Sequence, residues 1–139
     1  VKAVIYRKKN YLLQLRDNNL AISSPNTWGL FGGGVESYES HEDALIRELD
    51  EELNWKPKEI ILFHTDIKLR TKWFSVLCHA QNSELTLLEG QAMKWFNSKA
   101  IFELPNTPDI VNYIIEKHEN ILSGSKIYHN FFNKLESIQ

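Results

Sequence analysis

Apolar and polar positions divide the chain into short alternating runs and two longer helical stretches. Val1 to Tyr6 is rich in β-branched and aromatic residues, and Tyr11 to Leu15 is a second apolar run. Lys8-Lys9-Asn10 between them suits a turn, so the pair predicts a β-hairpin. Asp17 to Thr27 is a polar loop containing Asn18, Asn19, Ser23, Ser24, Pro25 and Asn26. Loops of this length in compact domains are often functional. Trp28 to Phe31 reads as a short strand running into Gly32-Gly33-Gly34. Ser40 to Leu53 is the clearest helix: Leu45, Ile46, Leu49 and Leu53 share a face, Ser40 can cap its start, and Asp43 supplies an acidic capping partner. Asn54 stands where a left-handed residue ends a helix, and Pro57 blocks continuation.

Beyond it, residues 60–67, 73–79 and 92–96 read as strands, with a polar connection over 81–90. Asp109 to Leu122 reads as a helix, broken by Ser123-Gly124-Ser125. A last helix over 126–138 carries the stripe Ile127, Phe131 and Leu135, which either caps the sheet or joins two copies as a homodimer. These elements predict an α/β fold, a mixed sheet with helices on its faces, in one domain spanning residues 1–139.

Composition narrows the class of partner. Net charge is −2, which argues against a broad basic face for nucleic acid. A compact anionic substrate remains compatible if metal ions bridge it to the protein. Cys78 is the single cysteine, so no intrachain disulfide forms, which suits a reducing compartment. No run approaches a membrane span, and the first residues already read as a strand rather than a signal peptide, so the expected location is the cytoplasm.

The predicted helix from Ser40 carries the chemistry. At 100° per residue, Glu48 and Glu52 lie about 40° apart, and Glu51 lies about 60° to the other side of Glu48. Like charges at these spacings destabilise a helix, so three carboxylates on one arc ask for a cation. All the donors are carboxylate oxygens, which select Mg²⁺ or Mn²⁺ over zinc. Glu39 sits at the helix start, and Arg47 borders the arc, where it can fork onto carboxylates. We read this pair as tying the loop to the helix and orienting Glu48.

The spacing resembles a known family. Gly33, then Glu39, Arg47-Glu48-Leu49, Glu51-Glu52 and Asn54-Trp55 resemble the Nudix box over residues 33–55, with Asn54 in place of the usual Gly. Trp28-Gly29-Leu30-Phe31-Gly32-Gly33 resembles the strand entering the box in the MutT-like branch, with Phe31 where many members have Pro.

The resemblance implies a Nudix-type α/β/α sandwich that hydrolyses a nucleoside diphosphate linked to another moiety. It implies that Glu48, Glu51 and Glu52 hold divalent metal, joined by the Gly32 carbonyl and by Glu39 as an accessory ligand. Arg47 would orient the glutamates, and Glu89 would touch metal or serve as general base alongside Glu52. Arg16, Gly33 and Asn106 would meet the nucleotide. The expected substrate is a small nucleotide, a (deoxy)nucleoside triphosphate first, with a nucleotide sugar or ADP-ribose second. An RNA-end hydrolase lacks the basic stripe it would need. A non-catalytic nucleotide-sensing module would be expected to have lost glutamates that this chain keeps. Trp28, Trp73, Phe74 and Trp95 read as core aromatics, and the five histidines receive no catalytic role.

Overall fold

The computed structural model describes residues 1–79 and 84–124. The predicted hairpin forms: β1 (Lys2–Arg7) and β2 (Asn10–Leu15) pair antiparallel with Tyr6 opposite Tyr11 and Arg7 opposite Asn10. Lys8 turns the chain at φ 55°. Beyond those two pairs the strands splay. Into the gap enters the segment Trp28–Gly32, and this explains a departure from the sequence reading. The expected single strand over Trp28–Phe31 is two short strands, β3 (Trp28–Gly29) and β4 (Phe31–Gly32), broken at Leu30. β3 pairs with β2 at Gln14 and Leu15, whereas β4 pairs with β1 at Lys2 and Ala3. One segment must cross from one splayed strand to the other, so it cannot hold a single register.

On its other edge β1 runs parallel to β6 (Thr71–Leu77), from Lys2 opposite Trp73 to Tyr6 opposite Leu77. A parallel pair needs a crossover, and α1 (His41–Leu53) lies within it. β5 (Ile61–Asp66) pairs antiparallel with β6, with a register shift between Leu62 and His64. β7 (Ala92–Asn97) pairs with the outer edge of β2 along six residues.

Strict alternation along these strands sends side chains to two cores. Ala3, Ile5, Leu12, Phe31, Phe74 and Val76 pack on Ala44, Leu45, Leu49 and Leu53 of α1. Val4, Tyr6, Tyr11, Leu13, Trp73 and Leu77 pack on Ile101 and on Val111, Ile114 and Ile115. The latter residues belong to two helices, α2 (Ser98–Phe102) and α3 (Asp109–Gly124). The fold is therefore an α/β sandwich, a mixed sheet with helices on both faces. A polar pin fixes α3 to the sheet. His118, fully buried, bonds Tyr11 Oη at 2.9 Å through Nδ1 and Ser75 Oγ at 2.8 Å through Nε2. Burial pushes its pKa down to about 3, so the ring is neutral at ordinary pH.

Two further departures have local causes. α2, which the sequence reading missed, is one short turn capped by Asn97, whose Oδ1 accepts the Ala100 amide at 2.8 Å. α3 does not stop at Leu122 but runs through Ser123 to Gly124, with the Ser123 hydroxyl donating back to Glu119 O at 2.9 Å. The expected helix over 126–138, with Ile127, Phe131 and Leu135 and the homodimer reading built on it, lies outside the described residues.

Candidate active site

α1 begins and ends as its sequence requires. Ser40 Oγ accepts the Asp43 amide at 3.0 Å, and Glu42 and Asp43 place negative charge at the first turn. Asn54 adopts φ 51°, ψ 44° and donates its amide to Asp50 O at 2.9 Å. The helix buries Leu45, Leu49 and Leu53, which sets the azimuth of everything else on it. Glu52, next to that apolar stripe, is only 3% exposed; Glu48 is half-buried and Glu51 exposed. The three carboxylates thus run from core to solvent along one arc.

Arg47 gathers the outer part of this arc. Its Nε and Nη2 fork onto Glu39 Oε2 and Oε1 at 3.1 and 2.6 Å. Nη1 reaches Glu48 Oε1 at 3.1 Å and Glu51 Oε1 at 3.2 Å, and Nη2 also donates to Gly34 O at 3.0 Å. Glu39 accepts in addition the Glu36 amide at 2.8 Å, so both of its oxygens are engaged. Hydrogen bonds from Arg47 hold the Glu39 carboxyl below the usual carboxylate range. Glu48 moves the other way: burial raises it, against the pull of Arg47.

Glu52 is held separately, by the Gly32 amide donating to its Oε1 at 3.0 Å. Burial is the main reason its pKa is pushed up to about 8, and the charges of Glu89 and Glu48 add to the rise. The backbone under these groups leaves no space. A Cβ on Gly33 would fall on the Glu48 carboxylate, and one on Gly32 (φ +143°) would fall on Val1 O. Gly33 is tied to the β1 side by its amide on Val1 O, at 3.0 Å.

The loop carrying Glu89 is sewn to the end of β2. Gln14 Nε2 donates to Glu89 O at 2.7 Å, the Gln91 amide to Leu15 O at 2.8 Å, and Gln91 Nε2 to Arg16 O at 2.7 Å. Gly90 at φ +95° lets this turn close over the Gln14 side chain. Arg16 is fixed twice more, by its amide on Thr27 O at 2.9 Å and its Nε on Ser23 O at 3.0 Å. Asn106 is exposed, and its carbonyl accepts the Trp28 amide at 2.7 Å. No contact joins its side chain to the carboxylates among the described residues.

The structure therefore joins Glu39, Glu48 and Glu51 through Arg47, bonds Glu52 separately to Gly32, and presses Gly33 against the Glu48 carboxylate. The charge of Glu89 acts on Glu48 and Glu52, Arg16 stands at the end of β2, and Asn106 meets only the Trp28 amide among the described residues. Sequence reasoning passed over Lys2, Gln14 and Gln91. Gln14, a polar residue inside the apolar run Tyr11 to Leu15, was the available signal, and it is buried.

The donor chemistry of Glu48, Glu51, Glu52 and the Gly32 carbonyl is all oxygen, as a hard divalent cation requires. Among the described residues no three His, Cys, Asp or Glu side chains converge closely enough to enclose a metal. Arg47 draws Glu48 and Glu51 outward, while the Gly32 amide draws Glu52 inward.

Comparison with known proteins identifies the class. The NUDIX domain matches residues 1–116, and the chain belongs to the Nudix family. It is a Nudix hydrolase of the pyrophosphohydrolase type. Members of this family generally use divalent metal ions.

Among similar solved structures, the MutT Nudix hydrolase from Burkholderia pseudomallei is 27% identical, with TM-score 0.61, 84% of this chain covered and 93% of that chain. The Nudix domain of Shewanella oneidensis NrtR, solved with ADP ribose, is 22% identical, with TM-score 0.68, covering 88% of this chain and 86% of its own. A C. elegans Ap4A hydrolase is 20% identical, with TM-score 0.66, covering 89% of this chain and 98% of its own. The latter two share the fold. No curated protein matches the chain significantly. No helix among the described residues is long and apolar enough to cross a membrane.

Proposed function

We propose that this protein is a cytoplasmic, magnesium-dependent enzyme that hydrolyses a nucleoside triphosphate to a nucleoside monophosphate and pyrophosphate. The observation that carries this reading is the graded arc of Glu48, Glu51 and Glu52, with the Gly32-Gly33 backbone pressed against it and Arg16 and Glu89 alongside. Glu48, Glu51, Glu52 and the Gly32 carbonyl are the groups that would hold magnesium, with manganese as a substitute. Bound metal would neutralise phosphate oxygens and lower the pKa of a coordinated water.

The chain's own residues do the rest. Arg47 fixes the orientation of Glu48 and Glu51 and ties Glu39 to the helix. Gly32 and Gly33 let the backbone pack directly against β1 and the Glu48 carboxylate. Arg16, anchored at the end of β2, meets the nucleotide, and Asn106 stands at the rim for the base. A glutamate takes the proton of the attacking water. Glu52 is suited to this because its buried carboxyl has raised proton affinity, and Glu89 is the alternative acceptor. The water oxygen then bonds to one phosphorus as the bridging P–O bond breaks, and the bridging oxygen leaves with the fragment that was not attacked.

The likeness to an ADP-ribose-bound domain and to an Ap4A hydrolase favours a second reading, a substrate with a diphosphate between two larger groups. Hydrolysis of a library of triphosphates, nucleotide sugars, ADP-ribose and dinucleoside polyphosphates, with Mg²⁺ or Mn²⁺, tests both. Turnover of triphosphates first is the expected result. Absence of turnover on every substrate refutes the enzyme reading. Normal turnover by Glu52→Gln, which keeps the acceptor for Gly32 N–H but loses the charge, refutes the assignment of the site.

A further inference from the structure

Lys2 is a half-buried cation at the start of β1. It lies on β1 opposite Gly32 of β4 and Trp73 of β6, and its backbone crowds Gly32, with Lys2 Cα 2.9 Å from where a Gly32 Cβ would stand. By alternation it continues the row Val4 and Tyr6, which belongs to the core under α3, while Val1, Ala3 and Ile5 face α1. Lys2 is the point where that row ends, in the gap opened by the splaying of β1 from β2. The side chain is half-buried, and its ammonium makes no hydrogen bond or ion pair with any described residue. The charges that act on it are those of Arg16, then Glu52, Glu48 and Glu89.

Three carboxylates act on this ammonium, but none is bonded to it among the described residues. A half-buried ammonium is stable when it is paired or hydrogen-bonded. Here its strongest charged neighbour is another cation, Arg16. Arg16 spends Nε on Ser23 O and leaves its two Nη groups unbonded among the described residues. Because β1 and β2 run antiparallel, Lys2 and Arg16 both lie at the end of the hairpin away from its turn, and together their unbonded N–H groups form a seat for an anion of several charges.

We infer that Lys2 is a substrate-binding residue that, with Arg16, grips a phosphate oxygen of the nucleotide from the side opposite α1. This rests on the triphosphate reading above. Glutamates and metal then engage one side of the phosphate chain and the two cations the other, which restricts its rotation before attack. Lys2 helps bind the whole polyphosphate and takes no part in bond cleavage, so its loss weakens binding more than turnover.

The test is steady-state kinetics of Lys2→Met and Lys2→Arg on the best triphosphate of the library, with Mg²⁺. Lys2→Met should raise KM about ten- to a hundredfold with kcat within about threefold, and Lys2→Arg should recover most of the loss. A KM for Lys2→Met within about twofold of the unaltered protein overturns the inference and leaves the enzyme reading standing. If the unaltered protein turns over no nucleotide, the enzyme reading falls and this inference falls with it. Should Lys2→Met fail to fold, reductive methylation of the unaltered protein, read by mass spectrometry, decides. An α,β-methylene nucleoside triphosphate with Ca²⁺ should protect Lys2, and equal labelling with and without it overturns the inference.

Discussion

Replacing each of the three consecutive glycines by alanine separates the roles of fold and site. At Gly33 the backbone conformation tolerates alanine, but the new Cβ would stand 2.6 Å from Glu48 Oε2 and closer still to its Cδ and Oε1. Ordinary contact begins near 3.4 Å, so the carboxylate must retreat by about 1 Å. That retreat breaks the 3.1 Å bond to Arg47 Nη1 and turns Glu48 away from the face it shares with Glu51 and Glu52. A displacement of about 1 Å in a reacting constellation lowers turnover about a hundredfold. The obstacle is the end of a flexible side chain, so stability should fall by only about 1 kcal/mol, or about 4 °C in Tm.

Gly32→Ala meets backbone instead, at Val1 O and Lys2 Cα, and starts from φ +143°. Strain of about 1–3 kcal/mol adds to the overlap, so Tm should fall by about 10 °C or more. Gly34→Ala meets nothing within 4 Å and should leave both quantities unchanged or raise Tm slightly. Pyrophosphate release and thermal unfolding, measured on all three variants, check the pattern. Gly33→Ala with activity within about threefold of the unaltered protein, or Gly34→Ala as damaging as Gly33→Ala, would refute the reasoning.

Metal-free stability should depend on pH through Glu52. Its folded pKa of about 8 lies above the unfolded value, so the protonated form stabilises the fold below about pH 4.5 and that contribution is lost as pH rises through 8. Thermal melts in chelator should show this decline, flattened in Glu52→Gln, with Mg²⁺ restoring stability at pH 8. His118 acts with the opposite sign: a folded pKa of about 3 means stability is full above about pH 6.5 and is lost as pH falls toward 3. His118→Gln should shift the acid unfolding midpoint, measured by circular dichroism, to lower pH. Asn54→Gly should raise stability by up to about 1 kcal/mol, because the left-handed C-cap at φ 51° suits glycine better; denaturant unfolding with no gain would refute this.

Much of the site is legible in the sequence. Glu48, Glu51 and Glu52 share an arc because helix periodicity alone places them there, and Ser40 and Asn54 mark the helix ends through local hydrogen bonding and left-handed tolerance. The grading of those carboxylates also followed locally, since Leu45, Leu49 and Leu53 dictate which flank turns inward. The presence of the hairpin and the identity of most strands rest on the same short-range alternation.

What the sequence could not disclose depends on residues far apart in the chain. The break at Leu30 exists because β1 and β2 splay and one segment must pair with both. Glu89 is brought to the end of β2 by Gln14 and Gln91, contacts spanning 75 residues. Lys2 reads as an ordinary polar start to a strand until Arg16, Glu52 and Glu48 gather around it. Periodicity and capping are properties of neighbours along the backbone, so the sequence by itself determined the helix, its caps and its acidic arc. Burial and charge are properties of neighbours in space. Only the packed sheet could decide that burial pushes the Glu52 carboxyl up to about 8, and that Lys2 stands among the charges of Arg16, Glu52 and Glu48.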